Sequence, residues 1–179
     1  MPLKFVLIMT IYLLLCIKLI QRLMKERAPM TVNQLPSAFD RLLVEADFLS
    51  ISPHTLFDYW TQPTLLQQWW PQEAELVPHV GGAYHLSWPQ MNWHLRGHYT
   101  SFDPGKRLGF TWKWDSDAQE PGEREVTLDF EPLAPDGTRL LLTHGFYLDT
   151  PEDQVLRIEH HLAGWKHFLS RLQQLLGAA

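Results

Sequence analysis

The sequence predicts an α+β fold in which a curved antiparallel sheet wraps around one long C-terminal helix. Three observations lead there. Segments that alternate apolar and polar residues with period two, separated by turn signals, run from Glu73 to Phe146. Two short helical segments precede that run. After it, Val155, Ile158, Leu162, Trp165, Leu169, Leu172 and Leu176 recur at steps of three and four, an apolar stripe of about six turns. A curved sheet cannot cover its own concave face, so the last helix must cover it.

The elements follow in order. Phe39–Ile51 reads as a strand, with Leu43, Glu45 and Asp47 set against Val44, Ala46 and Phe48. Ser52 is an N-cap and Pro53 suits a first helical turn. Leu56, Phe57 and Trp60 make one helical face, and Pro63 ends the helix. A second short helix is expected over Thr64–Trp70, closed by Pro71. Strands are expected at Glu73–Val77, Ala83–Trp88, Trp93–Phe102, Arg107–Trp114, Arg124–Pro132 and Thr138–Phe146, with turns at Asp103–Arg107 and Ala134–Gly137. Tyr84, Leu86 and Trp88 share a face, as do Leu108, Phe110, Trp112 and Trp114, and Leu140, Leu142, His144 and Phe146. The last helix has Thr150 as its cap, Pro151 at its first position, and Glu152 and Asp153 in the turn where the dipole favours acids. Gly177 ends it.

Composition narrows the function. The chain has 179 residues, 45 % hydrophobic and 20 % charged, which suits one globular domain with a sizeable core. Its single cysteine, Cys16, excludes an internal disulfide framework and a cysteine-based zinc site. Residues 1–30 carry a net charge of +4, from Lys4, Lys18, Arg22, Lys25 and Arg27 against Glu26, and the remainder carries −9. A domain that acidic is a poor nucleic-acid binder, and no nucleic-acid partner is expected.

The N-terminal segment stands apart. Phe5 to Ile17 is an uncharged, mostly apolar run, and Leu19, Ile20, Leu23 and Met24 extend it to about the 20 residues a membrane span needs if Lys18 snorkels. No small-residue cleavage site follows. Residues 1–28 are therefore read as a hydrophobic helix anchoring the chain, 29–38 as a linker and 39–179 as the folded domain. The basic residues after the apolar run place that domain in the cytoplasm. The other reading is an upstream extension, with translation starting at Met24 or Met30 and a cytoplasmic chain.

The motifs bear a resemblance. Trp60, Thr61, Pro63, Leu66, Trp69 and Trp70 form a "W…TxPxxLxxWW" pattern. Gly81, Gly82 and Tyr84 follow, then Gly97, Asp103 and Pro104, then Arg107, Leu108, Phe110, Thr111 and Trp112 as "RLxFTW". Gly137 to His144 with Gly145 and Phe146 approximates "GTRLxLTHxGF", one residue shorter. Gly164, Trp165, Leu169 and Leu172 complete the series. In this order they resemble the activator-of-heat-shock-protein-ATPase-like family of the START-like (SRPBCC, helix-grip) superfamily, over roughly Ala46 to Leu176. The resemblance implies a helix-grip fold with a hydrophobic cavity, and it implies a fold more firmly than an activity. Some relatives bind lipids or other apolar ligands, some act on polyketides, and the founding members stimulate a chaperone ATPase.

The residues expected to face a ligand are Trp70, Tyr84, Trp88, Leu95, Phe110, Trp112, Leu142, His144, Phe146, His161 and Trp165. His144 alternates with Leu142 and Phe146 and is the polar group expected to orient the ligand, unless it is a satisfied core histidine. Trp69 and Trp70 diverge by about 100° on a helix, so one should serve the fold and the other, Trp70, the pocket. No metal or cofactor is expected: Glu159–His161 lacks zincin spacing, and His94 and His98 lie about 13 Å apart on a strand, pointing away from the cavity. There is no nucleophile elbow, phosphate loop or dinucleotide fingerprint. The expected function is non-catalytic binding of a hydrophobic small molecule or lipid. The alternatives are a chaperone-regulating interaction module and a cyclase- or hydrolase-like enzyme using the same cavity.

Overall fold

A computed structural model of the chain describes residues 31–116 and 123–177, and the expected N-terminal helix lies outside them. Eight antiparallel strands form one curved sheet: β1 (Val32–Leu35), β2 (Arg41–Phe48), β3 (Glu73–Leu76), β4 (Ala83–Trp88), β5 (Trp93–Asp103), β6 (Arg107–Trp114), β7 (Arg124–Leu133) and β8 (Gly137–Gly145). Their order is β1-β2-β8-β7-β6-β5-β4-β3. Helices α1 (Pro53–Thr61) and α2 (Pro63–Leu66) lie between β2 and β3 in the chain. The C-terminal helix runs as α3 (Pro151–Val155), a π-helical segment (Leu156–Leu162) and α4 (Ala163–Gly177).

Local chemistry accounts for most of these elements. Ser52 accepts a hydrogen bond from the Thr55 amide and Thr150 accepts one from Asp153, so both helix starts are capped. In β2, Leu42, Val44, Ala46 and Phe48 are buried and the residues between them are not. Across the sheet, Val44 pairs with Leu142 and Leu128 pairs with Leu142 from the other side, so the inner rows of three strands meet in one core. Between Tyr99 and Ser101 the register of β5 on β6 shifts, and such a bulge bends a strand. Gly97 sits just before it. A Cβ there would lie 2.4 Å from the Thr111 carbonyl oxygen and 2.7 Å from Tyr84, so the close approach of these strands requires glycine.

Four features depart from the sequence reading. Val32–Leu35, taken as linker, is an edge strand pairing with β2 from Val32↔Ala46 to Leu35↔Leu43. Helix α2 ends at Leu66, earlier than the expected Trp70, and the chain continues in tighter turns in which Gln68 and Trp69 donate to carbonyls three residues back. The last helix is not one regular stripe. A π-helical segment adds a residue to the turn, which rotates everything before it relative to everything after. Val155 and Ile158 are consequently exposed, whereas Asp153, His161 and Leu162 are buried. Beyond the π segment the stripe resumes, with Trp165, Leu169, Leu172 and Leu176 buried. At the end of β8 the alternation breaks: Phe146 is 61 % exposed and Tyr147 takes the inner position at 2 %. Among the described residues no helix is long and apolar enough to cross a membrane.

Candidate ligand-binding cavity

Tryptophan dominates the space between the sheet and the C-terminal helix. Trp60, Trp69 and Trp70 arrive from α1 and the turns after α2, Trp88 from β4, Trp112 and Trp114 from β6, and Trp165 from α4. They form a connected aromatic mass. Trp69 is fully buried, donates its Nε1–H to the Tyr59 carbonyl at 3.0 Å, and meets Trp60 edge-on at 4.8 Å. Trp70 stacks on Trp69 at 5.7 Å on one side and on Trp112 at 5.8 Å, with 17° between the planes, and meets Trp165 at 5.4 Å.

A cavity of about 590 Å³ opens beside this mass, a size typical of small-molecule sites. Its inner wall is Trp70, Trp88, Trp112, Trp114, His161 and Trp165. Phe168 and Gly164 of α4 close one side. Met91, from the connection into β5, Trp93, the first residue of β5, and Glu159 and His160, from the π segment, are exposed and form the rim. Asp115 also lies at the rim and is ion-paired with Arg96 at 3.0 Å.

Five of the eleven expected ligand residues line this space: Trp70, Trp88, Trp112, His161 and Trp165. Tyr84 and Phe110 lie elsewhere, around a gap of only about 20 Å³, and Tyr84 donates its hydroxyl hydrogen to the Thr111 carbonyl. Leu95 and Leu142 are buried in the core and border neither space. Phe146 is on the outer side of the sheet, where the Arg41 guanidinium sits 5.2 Å over its ring. His94 contributes to the rim rather than pointing clear of it, and its ring hydrogen-bonds His85 at 3.0 Å. Sequence reasoning left out Phe168 and Trp93. The first lies three residues beyond Trp165 on one helix and the second shares the face of Leu95, so the signals were present.

His144 is fully buried and does not reach the cavity surface. Its Nδ1 accepts the Nε1–H of Trp165 at 3.1 Å, and its ring stacks on His161 at 4.2 Å. His161 Nδ1 lies 2.7 Å from the Tyr147 hydroxyl. Behind them Arg124 and Asp153 form an ion pair at 2.8 Å, and the second Asp153 oxygen accepts from the Leu148 amide. Burial pushes His144 well below the ordinary histidine range, helped by His161 and Arg124. Burial, then Arg124 and His160, brings His161 down to about 3. Both imidazoles are therefore neutral at physiological pH. Tyr147 is pushed up, first by burial. Among the described residues, no three or more His, Cys, Asp or Glu side chains come together to hold a metal.

A model of the Activator of Hsp90 ATPase homolog 1-like protein family matches residues 50–177. The chain belongs to this family. No curated protein is matched. Among solved structures, protein MLL2253 from Mesorhizobium loti is similar at 27 % identity and a TM-score of 0.66, covering 78 % of this chain and 98 % of that one. The HSP90 activator PFC0360w from Plasmodium falciparum is similar at 22 % identity and a TM-score of 0.63, covering 77 % and 96 %. CalU16 from Micromonospora echinospora is similar at 18 % identity and 0.63, covering 84 % and 76 %. These likenesses agree with the helix-grip architecture. All the indoles of the cavity wall, from Trp70 to Trp165, lie within the matched region.

Proposed function

We propose that the domain binds a hydrophobic small molecule or lipid in the cavity beneath the C-terminal helix and holds it without chemical change. The observation that carries this is the roughly 590 Å³ space walled by indoles from the sheet, from the turns after α2 and from α4. Burying about 200 Å² of apolar ligand surface there would supply roughly 5 kcal/mol, at about 25 cal/mol per Å². A cyclase- or hydrolase-like use of the cavity has less support, because His144 is sealed off, its Nδ1 is taken by Trp165, and His161 stacks on it instead of bonding to it. The chaperone-regulating reading rests on the family's description and on the HSP90 activator among its structural relatives.

Gly164 provides the test. It borders the cavity, and a Cβ added there meets nothing within 4 Å. Gly164→Phe should fill the space without disturbing the core, and losing a helical glycine should stabilise the fold by roughly 0.5 kcal/mol or more. Saturable binding of an environment-sensitive apolar dye, followed by fluorescence, should fall more than about tenfold while the melting temperature holds or rises. Unchanged dye affinity in a folded Gly164→Phe protein would sink the cavity reading. Stimulation of a chaperone ATPase by the parent and by Gly164→Phe alike would favour the interaction module.

The same reading tethers the domain to a membrane through residues 1–28, with the domain in the cytoplasm. The motivation is the apolar run Phe5–Ile17 with basic residues after it. Alkaline extraction of membranes should leave the full chain in the pellet and release a chain begun at Met30; equal release of both would refute the tether.

A further inference from the structure

Around the inner wall of the cavity, two buried ring nitrogens, Trp112 Nε1 and His144 Nε2, have no hydrogen-bond partner among the described residues. A tryptophan N–H can only donate, so His144 Nδ1, 3.1 Å from Trp165 Nε1, must be an acceptor. A neutral imidazole carries one hydrogen, which therefore sits on Nε2 of His144. That nitrogen is buried without a hydrogen-bond partner among the described residues. Among the described residues, Tyr147, 2 % exposed, makes one side-chain hydrogen bond, 2.7 Å long, to His161 Nδ1. If the imidazole donated there, the phenolic hydrogen would be stranded in the interior, at the cost of an unmade hydrogen bond. The phenol therefore donates, and His161 carries its hydrogen on Nε2. Trp112 Nε1 is likewise buried and unpartnered.

These three rings are one cluster. His144 and His161 are 4.2 Å apart, Trp112 and His144 5.0 Å, and Trp112 and His161 5.7 Å. Trp112 and His161 line the cavity and His144 stacks behind His161. His144 Nε2 and Trp112 Nε1 are sealed in the interior, so the Nε2–H of His161, on a ring that lines the cavity, is the donor of this cluster that a ligand can reach.

We infer that the inner wall is built to receive an uncharged oxygen acceptor, so that the ligand is an apolar molecule bearing a carbonyl-type oxygen that takes the N–H of His161. The inference rests on the cavity reading above. Charge selects against the neighbouring classes. No Lys or Arg lines the cavity among the described residues, and the two histidines are held neutral, so a carboxylate would shed its water for no counter-charge. An amine would find carboxylates only at the rim, Asp115 (already paired with Arg96) and Glu159, and would bring further donors to the His161 N–H at the inner wall.

The test uses four probes of one shape: methyl naphthyl ketone, isopropylnaphthalene, naphthoate and naphthylethylamine. Binding to the purified protein is measured by calorimetry at slightly alkaline pH. The ketone should bind roughly tenfold more tightly than the hydrocarbon, and the two charged probes more weakly than the hydrocarbon. In His161→Phe the ketone advantage should shrink to under about twofold while hydrocarbon affinity is kept. Long-range proton–nitrogen correlation spectra of the parent should show both imidazoles protonated on Nε2, a readout that needs no variant to fold. A ketone no tighter than the hydrocarbon, or a His161 protonated on Nδ1, overturns the inference and leaves the cavity reading standing. Failure of all four probes, the hydrocarbon included, overturns both.

Discussion

Trp69→Ala should be among the most destabilising single changes in the domain, by about 3–5 kcal/mol, and it should leave the cavity wall in place. Trp69 is fully buried, pairs edge-on with Trp60 at 4.8 Å, and lies against Trp70 at 5.7 Å. Truncation leaves an indole-sized void under α1 and removes the bond to the Tyr59 carbonyl that ties the turns after α2 to α1. For a domain of this size, each kcal/mol moves the melting midpoint by about 2–4 °C, so a fall on the order of 10 °C is expected. Trp70→Ala removes indole contacts with Trp60, Trp112 and Trp165, so it too should destabilise, but it also opens the wall of the cavity. The two variants should therefore separate in dye binding measured below their melting points: near parental for Trp69→Ala and lost for Trp70→Ala. A Trp69→Ala protein melting within about 2 °C of the parent would show that the void collapses at little cost.

Acid should begin to destabilise the domain from about pH 6.5, before its carboxylates protonate. His161 is held at about 3 and His144 well below 6.5, so both stay neutral in the folded state. Above pH 6.5 folded and unfolded chains are alike at these sites and contribute nothing to pH dependence. As pH falls below 6.5 the unfolded chain takes up protons at both sites that the folded chain resists, so stability is lost with falling pH, down to about 3 for His161, with His144 acting in the same direction. His161 contributes roughly 1.4 kcal/mol per pH unit, about 3 kcal/mol by roughly pH 4.5, and His144 adds to it in the same direction. That is a sizeable part of the whole stability of many domains, about 5–15 kcal/mol. Urea midpoints should fall from about pH 6.5 to 4.5, and His161→Gln should make the fall shallower by roughly 1.4 kcal/mol per pH unit. A midpoint that does not move across that window would mean these imidazoles reach water in the folded state.

The same pair explains why part of the candidate site was hidden from sequence reading. His144 was legible as inward-facing, because strand alternation with Leu140 and Leu142 is a local property of β8. Nothing local says that Trp165, 21 residues away, donates to its Nδ1 and turns a potential ligand contact into a core group. His161 owes its place to the π-helical segment, which moves Val155 and Ile158 out of the stripe and brings His161 and Asp153 inward. The apolar period of three and four does not reveal an inserted residue. What holds the insertion is tertiary: Tyr147 on His161, and Arg124 and the Leu148 amide on Asp153.

The sequence by itself determined the α+β class, six of the eight strands nearly to their ends, both capped helix starts, and the single covering helix. All of these follow from backbone and side-chain preferences acting within about ten residues: alternation, proline and glycine placement, and cap chemistry. Tertiary structure decided the rest. Edge strand β1 has a weakly apolar sequence and exists through its ladder to β2. The inward aromatics divided into packing and lining residues only when α4 settled over one end of the sheet, leaving Tyr84 and Phe110 against a closed core and Trp88, Trp112 and Trp114 around open space. Facing inward is a property of each strand. Whether that interior is filled or left for a ligand depends on how closely a helix far along the chain can approach, and bulky indoles from four separate segments set that distance.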